Sequence, residues 1–144
     1  EFVRLQSMID DCSEVINRMA IVRLDGEGLR TNGYLVTAHF GERCDACIII
    51  HGYECPLENQ WPLSASFYTN SFLHPNGGLV DLTCLATSFD DHGGGHRDAC
   101  GCRIQPLSEG GIREDREVET KDIDRNIAAW VDIWSNERIR NNEF

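Results

Sequence analysis

Near the start of the chain, the spacing of hydrophobic residues changes from a helical pattern to a short continuous run. Between residues 3 and 19 most apolar side chains recur every three or four positions, which predicts an amphipathic helix. Residues 20–24 then form a short apolar run, and residues 25–28 after it are acidic and glycine-rich, as turns are. We therefore expect a helix over 3–19 followed by a short buried strand.

The middle of the chain contains three further segments with the pattern of strands. Residues 46–52 are apolar around three consecutive isoleucines, which is typical of a central strand buried on both faces. Residues 64–69 alternate small polar with larger side chains, as a half-buried strand does. Residues 99–104 are predicted to form a returning strand, whereas residues 34–40 fit a helix and a strand equally well.

Two later segments have helical spacing. The apolar residues between 79 and 89 predict a helix packed on a sheet, and the glycines at 93–95 are expected to cap its C-terminus in the left-handed conformation. A second helix is expected from Thr120, whose hydroxyl suits an N-cap, with acidic residues in the first turn. One stripe of this helix is apolar: Ile123, Ile127, Trp130, Val131 and Trp134.

Strands interleaved with helices predict an α/β (α+β) fold. We expect a mixed sheet of about four to five strands covered by helices, with flanking N- and C-terminal helices. The predicted organisation is a linker helix over 1–19, an α/β domain over 20–106, and a polar linker with a C-terminal helix over 107–144.

Composition and charge narrow the possible functions. The chain has 144 residues, with 24 acidic against 13 basic side chains and a net charge of −11. This acidity argues against a broad nucleic-acid or anionic-membrane surface, which needs a basic face. No apolar run has the length of a membrane span, so no membrane partner is expected. Phosphate binding would need a local site.

The chain has seven cysteines. An odd number without a signal sequence favours reduced, buried thiols in a cytoplasmic protein. A zinc site is the less favoured alternative, because two cysteines separated by a single residue make a poor ligand couple. Its candidate ligands are Cys44, Cys47, His51, Cys55, Cys100 and Cys102.

Three consecutive glycines followed by basic side chains form the most informative local pattern. Residues 93–95 lack a Cβ, so a ligand can approach the backbone and several amides can converge on an anion. His96 adds a hydrogen-bond donor and Arg97 a bidentate fork for phosphate. Taken alone, these residues fit an anion site and a glycine-rich helix cap equally well.

A family resemblance favours the anion site. Residues 93–101, Gly-Gly-Gly-His-Arg-Asp-Ala-Cys-Gly, resemble the GGGH-x-x-A-A/S-G motif of the DHH-associated domain, type one. This is the C-terminal substrate-binding domain of DHH phosphoesterases, including RecJ-type exonucleases, oligoribonucleases, cyclic-dinucleotide phosphodiesterases and exopolyphosphatase-related proteins. Residues 21–28 are similar to the first strand and turn of that domain, and residues 80–86 to its helix before the glycines. The resemblance covers 20–106.

The resemblance implies a role in binding. Such enzymes hydrolyse phosphoesters with Mn²⁺ or Mg²⁺ held by an upstream DHH catalytic domain, while the C-terminal domain binds a nucleotide or short oligonucleotide. By motif, Gly93, Gly94, Gly95 and His96 face the substrate, with Arg97 beside them. The chain is therefore expected to be one part of a longer phosphoesterase, inactive alone, without catalytic or metal-binding residues of its own. A homodimer is a further expectation.

The sequence also departs from the family pattern. A strand that often reads V-S-L-R-S in the family has Tyr68 where the resemblance implies a phosphate-binding arginine. Tyr68 keeps a hydroxyl donor and a ring for stacking but loses the charge, which favours a rival interpretation as a non-catalytic interaction module that retains the fold. The string at 90–92, Asp-Asp-His, is a coincidental match to the DHH signature, and we expect no metal role for it.

Overall fold

A six-stranded mixed sheet forms the centre of the protein, seen in a computed structural model that describes residues 7, 9–27, 31–56 and 60–142. The strands lie in the order β1-β2-β3-β4-β6-β5, and only the β2–β3 pair is parallel. This confirms the α/β fold, with slightly more strands than expected. The elements are β1 (Ser13–Ile16), β2 (Met19–Arg23), α1 (Gly33–Phe40), β3 (Ala46–His51), β4 (Ser64–Thr69), α2 (Thr83–Ala86), β5 (Gly94–His96), β6 (Ala99–Arg103) and α3 (Lys121–Asn141).

The sheet separates two hydrophobic cores. On one face, α3 packs its apolar stripe against the strands, and the ring of Trp130 meets that of Phe67 edge to face, with centroids 5.0 Å apart. On the other face, α1 packs Val36 and Phe40 onto β2 and β3. Strand β3 is buried on both faces, which explains its continuous apolar run.

The predicted helix over 3–19 is wrong at its C-terminal end. Strand β1 occupies Ser13–Ile16 and pairs antiparallel with β2. Asn17 and Arg18 between them have φ of 49° and 67°, the positive values that two-residue hairpin turns require. Residues 9–11 are helical, and the rest of the predicted linker helix, at 1–6 and 8, lies outside the described residues.

The segment before the glycine motif also differs from the prediction. The helix expected over 79–89 is limited to the four residues of α2, which begins where the Asp81 carboxylate accepts hydrogen bonds from the amide and hydroxyl of Thr83. The glycines do not cap a helix. Gly94 and Gly95 instead belong to β5, an edge strand that forms a hairpin with β6.

The C-terminal helix is confirmed as α3, with a different start. Thr120 already has helical dihedral angles, and its hydroxyl donates to Glu54 instead of capping the helix. Acidic residues do occupy the first turn, as expected. The ambiguous residues 34–40 lie in α1, which Asn32 caps by accepting a hydrogen bond from the Leu35 amide. No helix in the described ranges is both long and apolar enough to cross a membrane.

Candidate functional site: an open face of the sheet

Among the described residues, no helix covers one face of the sheet where β4, β6 and β5 lie side by side. Helix α1 contacts β3 and β4 on this face but does not extend over the edge strands. Strand register places directly opposed side chains on the same face. This surface, the open sheet face, consists of three rows: Tyr68, Ala99 and His96; Ser66, Gly101 and Gly94; Ser64 and Arg103.

The middle row carries the smallest residues and forms the floor of the open sheet face. Gly94 has φ of 153°, and a Cβ added to it would have no atom within 4 Å, so the space above its backbone is empty. Gly93 and Gly95, on either side of it, allow close packing against neighbouring backbone instead. A Cβ on Gly93 would lie 2.0 Å from the carbonyl oxygen of Ala86, and one on Gly95 would lie 2.9 Å from that of Ala99. Of the three glycines, Gly94 is therefore the one that leaves backbone open to a ligand.

His96 is exposed at the edge of the open sheet face, and its ring orientation is fixed by a local hydrogen bond. Its Nδ1 accepts from the Asp98 amide at 3.2 Å. A neutral imidazole that accepts at Nδ1 carries its proton at Nε2, so the outer nitrogen is a donor. Strand spacing places His96 about 10 Å from Tyr68, two strands away, with the small side chain of Ala99 between them.

Arg97 and Asp98 form the turn of the β5–β6 hairpin and anchor it. Arg97 Nη2 donates to the carbonyl of Gly78 at 2.8 Å, and Asp98 Oδ1 accepts from the Thr69 hydroxyl at 2.7 Å and the Gly78 amide at 3.0 Å. Burial opposes ionisation of Asp98, but these two hydrogen bonds and the nearby charges of Arg97 and His96 outweigh it and lower the pKa of the carboxyl. The turn that carries His96 is thus held firmly in place.

Tyr68 lines a cleft of about 390 Å³ at one end of the open sheet face. Its ring packs against the first residue of α1, where a Cβ on Gly33 would lie 2.0 Å from the ring Cγ. Tyr34 lines the same cleft, and its ring contacts that of Phe72 with centroids 4.8 Å apart. Both of these rings are largely exposed, at 63% for Tyr34 and 50% for Phe72. This end of the face is aromatic.

A second cleft, of about 670 Å³, lies at the opposite end of the open sheet face. Arg103 and Arg113 line it together with His51 and His92. The sequence pattern did not single out either arginine, and it placed neither histidine in a phosphate site. A signal for Arg103 was present, because it follows Ala99 and Gly101 at the two-residue period of a strand and so shares their face. Arg113 had no such signal, since it reaches the cleft from an irregular segment.

Asp90 organises the loop before the glycines. Its buried carboxylate accepts from the amides of His92 and Arg103, both at 2.9 Å, and so joins the loop to β6. These bonds occupy both oxygens, so the Asp-Asp-His string serves a structural purpose. Across the described residues, no group of three or more His, Cys, Asp or Glu side chains is placed to hold a metal ion.

The two closely spaced cysteine pairs, Cys44 with Cys47 and Cys100 with Cys102, lie on opposite faces of the sheet. Cys47 faces the core beneath α1, whereas Cys100 and Cys102 face the core beneath α3, so the sheet stands between them. A zinc site that joins the two pairs is incompatible with this arrangement. Burial raises the pKa of Cys44 to about 11 and those of Cys100 and Cys102 to about 12, which keeps them as thiols. All seven cysteines are free.

Comparison with known proteins supports a shared fold. No protein-family model and no curated protein matches the chain. The chain is similar to a pGpG-specific phosphodiesterase from Vibrio cholerae, with a TM-score of 0.62 and 16% identity over 94% of this chain and 39% of that one. It is also similar to an exopolyphosphatase-related protein from Bacteroides fragilis, with a TM-score of 0.52 and 15% identity over 92% of this chain and 34% of that one.

At these identities the similarity establishes a shared fold. The chain spans less than two fifths of the length of either protein.

Proposed function

We propose that this chain is the substrate-binding part of a metal-dependent phosphoesterase, and that its open sheet face binds a phosphate group of a nucleotide or short oligonucleotide. The Mn²⁺ or Mg²⁺ ions of the reaction would be held by a separate catalytic domain, where they generate the nucleophile. The chain itself would bind and orient the substrate. The fold shared with a phosphodiesterase and the GGGH motif both support this proposal.

The arrangement of Gly94 and His96 is the observation that carries the proposal. The backbone at Gly94 is open to a ligand, and the outer nitrogen of the His96 ring presents a donor at the edge of the same face. Phosphate oxygens accept hydrogen bonds from such donors strongly because the acceptor is charged. In a chain with a net charge of −11, short-range donors of this kind are the means of binding an anion that the overall field repels.

The aromatic cleft favours a nucleotide over a chain of phosphates. Tyr34 and Tyr68 line this cleft, and the exposed ring of Phe72 contacts that of Tyr34. Nucleobases stack on such rings, whereas polyphosphate does not. The similar protein from Vibrio cholerae is a pGpG-specific phosphodiesterase. We therefore propose a guanine dinucleotide with a 5′-phosphate as the first ligand to test.

Replacing His96 by alanine is expected to weaken binding of pGpG about tenfold, which is the loss of one charge-assisted hydrogen bond. Isothermal titration calorimetry of the metal-free chain with pGpG measures this change in affinity. His39→Ala is the matched control, because His39 is a histidine of α1 that pairs with Asp10 and lies outside the open sheet face. Equal affinities of the wild-type chain and His96→Ala would contradict the assignment.

The rival function, a non-catalytic interaction module, makes the opposite prediction. It draws support from the acidic surface and from Tyr68 in place of a phosphate-binding arginine. The interaction module would be favoured if the chain bound none of three ligands: pGpG, mononucleotides and short RNA. An assay of the isolated chain with Mn²⁺ adds a second test, since turnover abolished by a chelator would show that catalysis does not need a separate domain.

A further inference from the structure

We propose that Arg103 and Arg113 form a second anion subsite, at the end of the open sheet face away from His96, and that this subsite binds a terminal phosphate of the same substrate. His51 and His92 line its margins. The identity of the substrate rests on the function proposed above, whereas the anion subsite rests on the geometry of this second cleft.

The guanidinium of Arg103 is available for a ligand. It makes no hydrogen bond or ion pair with any residue in the described ranges, although its backbone amide donates to Asp90. The other described arginines are engaged: Arg18 and Arg138, for example, both pair with Asp45. Arg103 is thus an exposed arginine at the wall of a cleft with no carboxylate partner among the described residues, and its guanidinium provides a fork that matches phosphate.

Arg113 brings a second positive charge to the same cleft. Its guanidinium donates to the Phe89 carbonyl at 3.2 Å, which holds it near the loop before the glycines. Its contact with the Asp91 carboxylate, at 3.8 Å, is long and exposed to solvent. Such a contact adds little free energy, so a phosphate that offers closer oxygens can replace it.

Asp90 is an acidic residue of the cleft wall. Both oxygens of its carboxylate accept backbone amides, so they are already hydrogen-bonded to the loop and to β6. The floor between the arginines and the glycine hairpin consists of small residues, Ser64, Ser66 and Gly101. The cleft therefore combines two cations with open space and hydroxyl groups, which suits a phosphate group.

The position of Arg103 relates the two subsites to each other. Ala99, in the row of His96, and Arg103 lie on the same face of β6 and four residues apart, which is about 13 Å along the strand. Two phosphates separated by one nucleoside lie closer together than this distance, so the long side chain of Arg103 has to extend along the face toward the row of His96 to contact the second phosphate. We infer a preference for dinucleotides that carry a terminal phosphate.

The test compares pGpG with GpG, which lacks the 5′-phosphate. Arg103→Gln is expected to weaken pGpG binding about tenfold and GpG binding less than twofold, because the lost charge-assisted bonds reach only the terminal phosphate. His96→Ala is expected to weaken both ligands. The matched control is Arg140→Gln, which removes the same charge from a side chain of α3 that is 76% exposed. Equal losses for both ligands in Arg103→Gln, or none, would overturn the subsite.

A second arm separates the subsite from the function proposed above. Inorganic pyrophosphate is titrated into the labelled chain, and amide shifts are followed by NMR. We expect shifts at residues 101–103 and at 92 in the wild-type chain and their loss in Arg103→Gln. If neither dinucleotide binds but pyrophosphate produces these shifts, the nucleotide function fails and the anion subsite stands. If pyrophosphate produces no shifts in the wild-type chain, the subsite is wrong whatever the dinucleotides do.

Discussion

Replacing Asp122 by alanine is expected to lower the free energy of unfolding by about 3 kcal/mol, the cost of breaking a buried, hydrogen-bonded ion pair. The side chain of Asp122 is fully buried at the start of α3. Its carboxylate accepts two hydrogen bonds from Arg116, at 2.7 and 2.9 Å, and the amides of Leu107 and Glu119, at 3.1 and 2.8 Å. Alanine would leave all these donors without their acceptor.

Urea denaturation followed by circular dichroism measures this loss. Asp124→Ala is the matched control, because Asp124 lies in the same helical turn with 80% of its side chain exposed and pairs with Arg23 at the surface. The control is expected to cost less than about 1 kcal/mol. Similar losses in the two variants would show that the buried carboxylate does not fix the segment before α3 as described.

The same carboxylate gives the stability a pH dependence. Burial opposes its ionisation, but the bonds from Arg116 and the two amides outweigh burial and lower the pKa of Asp122 from 3.8 to about 2. Because the folded-state pKa lies below the unfolded one, the stabilisation is present above pH 4 and is lost as the pH falls toward 2. It amounts to about 2 kcal/mol. Stability of Asp122→Asn should therefore fall less steeply across this range than that of the wild-type chain.

Replacing Trp130 by alanine is expected to lower the free energy of unfolding by about 4 kcal/mol, the range found for large aromatic side chains removed from a core. Trp130 is among the largest fully buried side chains. Its ring packs edge to face on Phe67 of β4, and its Nε1 donates to the Ser88 hydroxyl at 3.2 Å. It therefore ties α3 both to the sheet and to the segment that leads to the glycine hairpin.

Trp130→Phe distinguishes packing from hydrogen bonding. Phenylalanine keeps an aromatic ring in the core but loses the donor to Ser88, so a loss of about 1 to 2 kcal/mol is expected. Ile139→Ala, at an exposed position of the same helix, is the surface control and should cost less than about 0.5 kcal/mol. Thermal and urea unfolding both measure the effect. An alanine variant no less stable than the phenylalanine variant would contradict the packing argument.

The location of Phe67 connects this stability to binding. Phe67 lies on β4 between Ser66 and Tyr68, which face the opposite side of the sheet. Loosening α3 removes the support beneath the open sheet face. We therefore expect Trp130→Ala to bind pGpG more weakly than the wild-type chain does, even at a temperature where the variant is still folded.

Several elements could be predicted from local pattern alone. The alternation at 64–69 and the helical stripe from Ile123 to Trp134 each show a period that one secondary structure satisfies, and the short apolar run at 46–52 is typical of a strand buried on both faces. Burial on one face or both faces selects these patterns. For this reason β3, β4 and α3 lie close to where the sequence predicts them.

The region before β2 could not be predicted in this way. Cys12, Val15 and Ile16 fit the helical period, yet residues 13–16 are extended because they pair with β2 through a turn of two residues with positive φ. The partner strand contributes hydrogen bonds that a local period does not reveal. The same reason explains why the predicted helix cap at Gly94 and Gly95 is wrong. These two glycines are extended because they pair with β6, and no local pattern reveals that pairing.

Within the candidate site, sequence pattern alone singles out one short segment, the glycines followed by His96. It could not determine which other side chains share a surface with that segment. The register of β4, β6 and β5 decides this, and it brings Arg103 to the open sheet face while Arg97, beside the motif, donates to Gly78. Register is set by hydrogen bonds between strands and by packing on both faces of the sheet, so only the tertiary structure reveals it.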